Sequence, residues 1–155
     1  MKIRDLIIII TILCIDLFTK YIVSINFALY ESIKVIDNFF YITFAKNTGA
    51  AWSLFSGRVG VLTLISLVGV LVFFFLYINT KEHDKFEKIA ISLMIAGGLG
   101  NLLDRFILGY VRDFLHFKIF NYDFPIFNVA DMSLCIGIAI LFILTILKKD
   151  EFDGD

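Results

Sequence analysis

The sequence predicts a bundle of four transmembrane helices with two small β-elements on its outer face, and three observations carry that reading. Hydrophobic residues make up 59% of the 155, against about 45–50% in soluble globular domains, and the mean hydropathy is +0.88. Four apolar runs, 6–25, 59–78, 89–108 and 129–147, each come near the ~20 residues a helix needs to cross hydrocarbon. The two connectors that flank the second and third runs, 26–58 and 109–128, are long and rich in Phe, Tyr and β-branched residues. No internal repeat, low-complexity tract or second domain interrupts the chain, so 1–155 reads as one integral membrane domain.

The first run, "LIIIITILCIDLFTKYIVSI", follows Lys2 and Arg4 as the core of a signal peptide would. It has no small-residue cleavage site and contains Asp16 and Lys20, so it reads as a retained anchor. Cys14 follows bulky Leu13 and does not resemble a lipid-attachment site; it and Cys135 are small apolar residues within spans. Connector 26–58 contains "FFYITFAKNTGAAWSLFSG", in which β-formers run into a turn-like Asn-Thr-Gly. Run 59–78 is uncharged. The short polar connector 79–88 shares a side with both termini, because the number of spans is even. That side holds seven Lys and Arg residues (2, 4, 81, 85, 88, 148, 149), while the other two connectors hold five (34, 46, 58, 112, 118). The balance points to cytoplasmic termini. Connector 109–128, "GYVRDFLHFKIFNYDFPIFN", is the second aromatic β-element, suited to headgroup depth.

Composition also excludes functions. The formal charge is -1, with no basic cluster interleaved with exposed aromatics, so nucleic acid is not an expected partner. There are two histidines, His83 and His116, and no HExxH or other metal-ligand spacing, so neither a metal nor an organic cofactor is expected.

Ionisable groups inside spans are costly, about 2.5–3.5 kcal/mol each on insertion scales, and call for a partner or a task. Asp16 and Lys20, four apart on one helical face, read as a structural ion pair that anchors the first helix against the loops. Lys20 and Ser24 share the same spacing and raise a Ser/Lys hydrolase, but Asp16 keeps the lysine charged and weakens it as a base. In "AGGLGNLLDR" the small residues Ala96, Gly97, Gly98 and Gly100 suit close helix packing. Asn101 and Arg105 share a face, either for interhelical hydrogen bonds or for a task at the outer end, and Asp104 reads as the counter-ion of Arg105 beside it. His83 reads as solvated and His116 as an interfacial hydrogen-bonding residue.

Asp113 in "GYVRDF" and Asp131 in "FNVADM" stand apart, each among apolar residues near the outer boundary. Brought together in a low-dielectric pocket, two carboxylates share one proton, as aspartic-protease chemistry requires. A small transporter or ion-coupling protein is the rival reading of Asp16, Lys20, Asp104 and Arg105, but the uncharged second run opposes a polar path across the membrane. A presenilin-like or prepilin-type protease is opposed by Asn101, which stands after Gly-Leu-Gly where that mechanism needs an acid.

Five blocks, "DLFTK" at 16–20, "NTGAAWS" at 47–53, "GGLGNLLDR" at 97–105, "GYVRDF" at 109–114 and "FPIFNVAD" at 124–131, together resemble lipoprotein signal peptidase, also called signal peptidase II, a family of bacterial intramembrane aspartic proteases. The resemblance implies a four-helix bundle with a small β-cradle and a short interfacial helix on the outer face. It implies a catalytic pair at Asp113 and Asp131, with Asn47, Gly49, Asn101, Arg105 and Asn128 supporting the substrate and Asp16 and Lys20 supporting the site. The implied reaction removes signal peptides from diacylglyceryl-modified prolipoproteins by cutting before the lipidated cysteine. That implies a monomer in the bacterial plasma membrane, surrounded by lipid, with its site near the outer leaflet. Arg112 departs from the apolar residue expected beside the catalytic aspartate, and facing the pocket it would lower the pKa of the pair.

Overall fold

The computed structural model describes residues 1–49, 57–120 and 122–152, with backbone alone for the last five. Its elements run α1 (Ile3–Asn26), β1 (Ser32–Ile36), β2 (Phe40–Asn47), α2 (Val59–Asn79), α3 (Lys85–Leu108), β3 (Val111–Ile119), β4 (Tyr122–Asp123) and α4 (Val129–Phe152). All four helices are long and apolar enough to cross a membrane. They coincide with the four apolar runs, but α3 starts at Lys85 and α4 continues to Phe152, both beyond the hydrophobic stretch. Hydropathy marks the part of a helix that must match hydrocarbon, whereas the helix itself can continue into water where lysines are solvated.

Large apolar side chains face outward, among them Phe18, Leu64, Phe75 and Phe142, while Asp5, Asp16, Lys20, Ser92, Asn101 and Asp104 are buried. This is the arrangement lipid dictates, since apolar surface costs nothing there and every polar group needs an internal partner. Helix α3 is central and packs against α1, α2 and α4. Small residues on α3 make this possible. A Cβ added at Gly97 would overlap the Ala130 carbonyl oxygen, and one at Gly100 would overlap the Asp16 carboxylate. Gly97→Ala is therefore expected to push the first turn of α4 away and cost about 1–3 kcal/mol, the range for overpacking. Thermal unfolding in lipid or detergent checks it; an unchanged midpoint would contradict this close contact.

The two expected β-elements join into one antiparallel sheet of order β1-β2-β3-β4. Asn38, with φ 54°, turns β1 into β2. A bulge in β2 lies between Ile42 and Ala45, after which Ala45 pairs with Asp113 and Asn47 with Val111. The sheet is fixed to the bundle by Phe44 and Phe114, buried against Val23 of α1. Gly109, in the left-handed conformation at φ 77°, ends α3 by donating its N–H to the Arg105 carbonyl, a geometry that favours glycine. It turns the chain directly from α3 into β3. Among the described residues no short helix accompanies the sheet, and Ala50–Ser53 of the "NTGAAWS" block lie outside them.

Candidate active site

Three pieces of local structure converge at the sheet end of the bundle. The first is the start of α4. The Phe127 carbonyl accepts from the N–H groups of Phe114 and Leu115 at 3.0 and 2.8 Å, and its own N–H returns to Leu115. This lays the approach to α4 along β3. Asn128 then precedes the first helical residue and Asp131 is the third. The Asp131 N–H donates to Asn128 Oδ1 at 2.9 Å, and the Asn128 N–H donates to Asp131 Oδ2 at 3.2 Å. The two form a reciprocal capping box with aspartate in the position more often held by Glu or Gln. A further N–H of the turn, from Ala130, donates to Asp16 Oδ1 at 2.8 Å.

The second piece is β3, which brings Asp113 beside this helix end. Asn128 Nδ2 donates to Asp113 Oδ1 at 2.7 Å, and Asn47 Nδ2, from the end of β2, donates to Oδ2 at 2.9 Å. Burial above all, and then the charge of Asp131, push the Asp113 carboxyl up to about 7. The third piece is α3. Asn101 Nδ2 donates to Asp131 Oδ1 at 2.7 Å, while its Oδ1 accepts from Lys20 Nζ at 3.0 Å and Asn128 Nδ2 at 3.2 Å. Two donors on one side and an acceptor on the other fix which way the Asn101 amide faces. Asn128 thus touches both carboxylates.

Behind the pair, Lys20 and Asp16 meet at 2.8 Å with neither side chain exposed, and Lys20 also lies 3.6 Å from Asp104. The ion pair braces α1 against α3 and the start of α4 rather than against the loops, as the Asn101 and Ala130 bonds show. Ser24 plays no part, since its hydroxyl donates to the Tyr21 carbonyl of its own helix.

Two expectations are corrected. Asp104 is not the counter-ion of Arg105. Its carboxylate receives Arg112 Nη2 at 2.6 Å, Nε at 3.2 Å and the Arg112 backbone N–H at 3.0 Å. Arg112 is therefore turned to Asp104 rather than into the space between the aspartates. Consecutive helical residues do not face each other, so sequence adjacency misled. Arg105 instead donates to Ser66 Oγ of α2 at 3.2 Å and to the Gly49 carbonyl at 3.3 Å. His116 bonds Thr43 and Asp123 within the sheet, and His83 is exposed at the opposite end.

Asp131, Asn101 and Arg105 line a groove of about 280 Å³ between α2, α3 and α4, together with Ser66, Gly69 and Leu134. Ser66 and Gly69 were not singled out in the sequence, because small residues in an uncharged span carry no chemical signal. The capping box was legible as Asn-x-x-Asp immediately before an apolar run. Among the described residues no group of three or more potential metal ligands clusters anywhere, and Cys14 and Cys135 are unpaired and exposed.

The family model described as "Signal peptidase (SPase) II" matches residues 8–147. The chain belongs to the signal peptidase II family. Lipoprotein signal peptidase of Staphylococcus haemolyticus (strain JCSC1435) is 47% identical over 146 residues, which cover 94% of this chain and 91% of that protein. The Staphylococcus aureus protein of the same name (strain bovine RF122 / ET3-1) is 43% identical, covering 86% and 81%. A solved structure described as a bacterial membrane enzyme, determined by the in meso method at 2.3 Å resolution, superposes with a TM-score of 0.89 at 37% identity, covering 98% of this chain and 92% of that one. A signal peptidase II with four apolar helices is a peptidase and a multi-pass bacterial membrane protein. The transporter reading of the buried charges is not favoured by this membership.

Proposed function

We propose that this signal peptidase II is an aspartic endopeptidase that cuts diacylglyceryl-modified prolipoproteins immediately before the lipidated cysteine, with Asp113 and Asp131 as its catalytic pair. The observation that carries the reading is Asn128, whose side chain bonds Asp113 while its backbone and side chain bond Asp131. One residue thereby holds in register the buried carboxylate of Asp113 and the half-buried one of Asp131, which lines a groove between membrane-spanning helices.

One carboxylate takes a proton from water as the water oxygen attacks the scissile carbonyl carbon. The other gives its proton to the carbonyl oxygen, and the gem-diol collapses with a proton passing to the departing amide nitrogen. Asn47, Asn101 and Asn128 orient the carboxylates, and their bonds to both oxygens of each limit rotation. Arg105 and Gly49, just beyond the end of β2, supply donors and acceptors for an extended substrate backbone, which is positioning rather than chemistry. Held by α2, α3 and α4, the groove suits a substrate whose signal helix and acyl chains both lie in the bilayer. Cytoplasmic termini would put this site near the outer leaflet, in line with the Lys and Arg balance.

The test is cleavage by the protein in lipid nanodiscs of one prolipoprotein in two forms, diacylglyceryl-modified and unmodified. Cleavage of the modified form alone, on the amino side of its cysteine, is expected. Equal turnover of the unmodified form, or a cut elsewhere, would contradict the assignment.

A further inference from the structure

The two aspartates are held by different kinds of surroundings, and the difference has a chemical consequence. Asp131 sits in the first turn of α4, where the unpaired N–H groups and aligned peptide dipoles amount to roughly half a positive charge. Its Oδ2 accepts one of those N–H groups, from Asn128. Its Oδ1 accepts from Asn101, whose carbonyl oxygen is in turn bonded to the Lys20 ammonium at 3.0 Å. A cation bonded to one end of an amide polarises it and strengthens the N–H donor at the other end. Arg105 lines the same groove as Asp131.

Asp113 has neither the helix end nor a donor bonded to a cation, although the charges of Lys20 and Arg105 also reach it. It lies on a strand, which has little net dipole, and its two donors are the neutral amides of Asn47 and Asn128. The cation adjacent to it in sequence, Arg112, is committed to Asp104 through both its side chain and its backbone. The charged groups around the pair are therefore Lys20, Arg105, Asp16, Asp104 and Arg112. Of these, Lys20 is linked to Asp131 through Asn101, and Asp16 reaches the same helix end through the Ala130 N–H. His116 is held by Thr43 and Asp123.

We infer that Asp113 carries the single proton of the resting pair and donates it to the scissile carbonyl, while Asp131 is the ionised base that activates water, with Lys20 and Asn101 as the positioning residues that impose this order. The inference rests on the aspartic mechanism proposed above and adds a direction to it. Asp131 takes the proton of the attacking water and passes it to the leaving nitrogen. Asp113 protonates the carbonyl oxygen and recovers a proton as the gem-diol collapses, so each turnover returns the pair to its starting state.

The experiment is a titration of the protein labelled with [4-13C]aspartate in nanodiscs. The two carboxyl signals are assigned by their loss in Asp113→Asn and Asp131→Asn, or in Asp113→Glu should the amide variant not fold. The Asp113 signal is expected to move from protonated to ionised with a midpoint near neutrality, in keeping with the value of about 7 to which burial and its neighbour's charge raise it. The Asp131 signal is expected to stay at its ionised position through that range. Cleavage by the wild type then fails on the alkaline side, as Asp113 loses its proton. In Asp16→Asn/Lys20→Met, which removes the polarising cation without leaving Asp16 charged, the acidic limb of kcat moves to higher pH as Asp131 becomes the weaker acid. An Asp131 signal that titrates near neutrality while Asp113 stays ionised, or two signals that move together, would overturn the order. Either result would leave the aspartic mechanism standing, since that mechanism fails only if the amide variants still cleave.

Discussion

Asp131→Asn is expected to lower kcat by roughly 10²–10⁴-fold, the usual contribution of a positioned acid or base, and to leave the fold in place. The second half of that expectation makes the first informative. An amide at position 131 has one oxygen for the two donors that face it, Asn128 N–H and Asn101 Nδ2, so one of those bonds is lost and a cost of about 1–3 kcal/mol is expected. Asp113→Asn is expected to lose a similar factor. Its stability is unlike that of an ordinary lost carboxylate, because the site already favours a neutral group there through burial and the charge of Asp131. Its thermal midpoint is therefore expected to hold or rise, most clearly above neutral pH. Native Asp113 binds its proton more tightly than the unfolded chain does. Its stabilising effect is accordingly complete at low pH and lost as pH rises through about 7. Initial rates on the diacylglyceryl-modified prolipoprotein, with unfolding midpoints for the same preparations, check both halves. Wild-type turnover by either variant would remove that aspartate from the mechanism.

The sequence was most legible where lipid acts as the selecting solvent. Four long apolar runs become four helices because no other unpaired backbone structure survives in hydrocarbon, and their order alone sets the topology. The aromatic connectors announced strands but not their pairing. Nothing local indicates that Ala45 will lie opposite Asp113, or that Phe127 will bond Phe114 and Leu115, because strand register is decided by residues distant in the chain.

Among the charges, spacing predicted contacts within one helix and failed between elements. Asp16 and Lys20 pair as four residues apart should. The partner of Asp104 arrives from β3, beyond a glycine turn, and no periodicity within α3 could name Arg112. Asn128 lies between the two cases. Its bond to Asp131 is a local capping pattern, whereas its bond to Asp113 spans 15 residues and depends on the strand that carries the acid.

Lys20→Met is expected to have the largest effect on stability, about 3–5 kcal/mol, the range for breaking a buried ion pair from one side. The loss arises from what remains. Asp16 is fully enclosed, with Lys20 Nζ 2.8 Å from its Oδ2 and Gly100 of α3 packed against the same oxygen, so removing the cation leaves a buried carboxylate without its counter-charge. Asn101 would also lose one of the two donors to its carbonyl oxygen, keeping Asn128, and Asp104 would keep Arg112 as its counter-ion. Removing both charges in Asp16→Asn/Lys20→Met is expected to restore much of the stability, because a neutral pair of similar volume has no uncompensated charge to bury. It should not restore the rate, since the first turn of α4 would still lack the carboxylate that receives the Ala130 N–H and the cation behind Asn101. Equilibrium unfolding in mixed micelles compares the two variants directly. A single variant no less stable than the double would mean that Lys20 is retained for its electrostatic effect on Asp131 alone. The expected contrast would mean that one lysine both supports the bundle and orients the charge at its catalytic end.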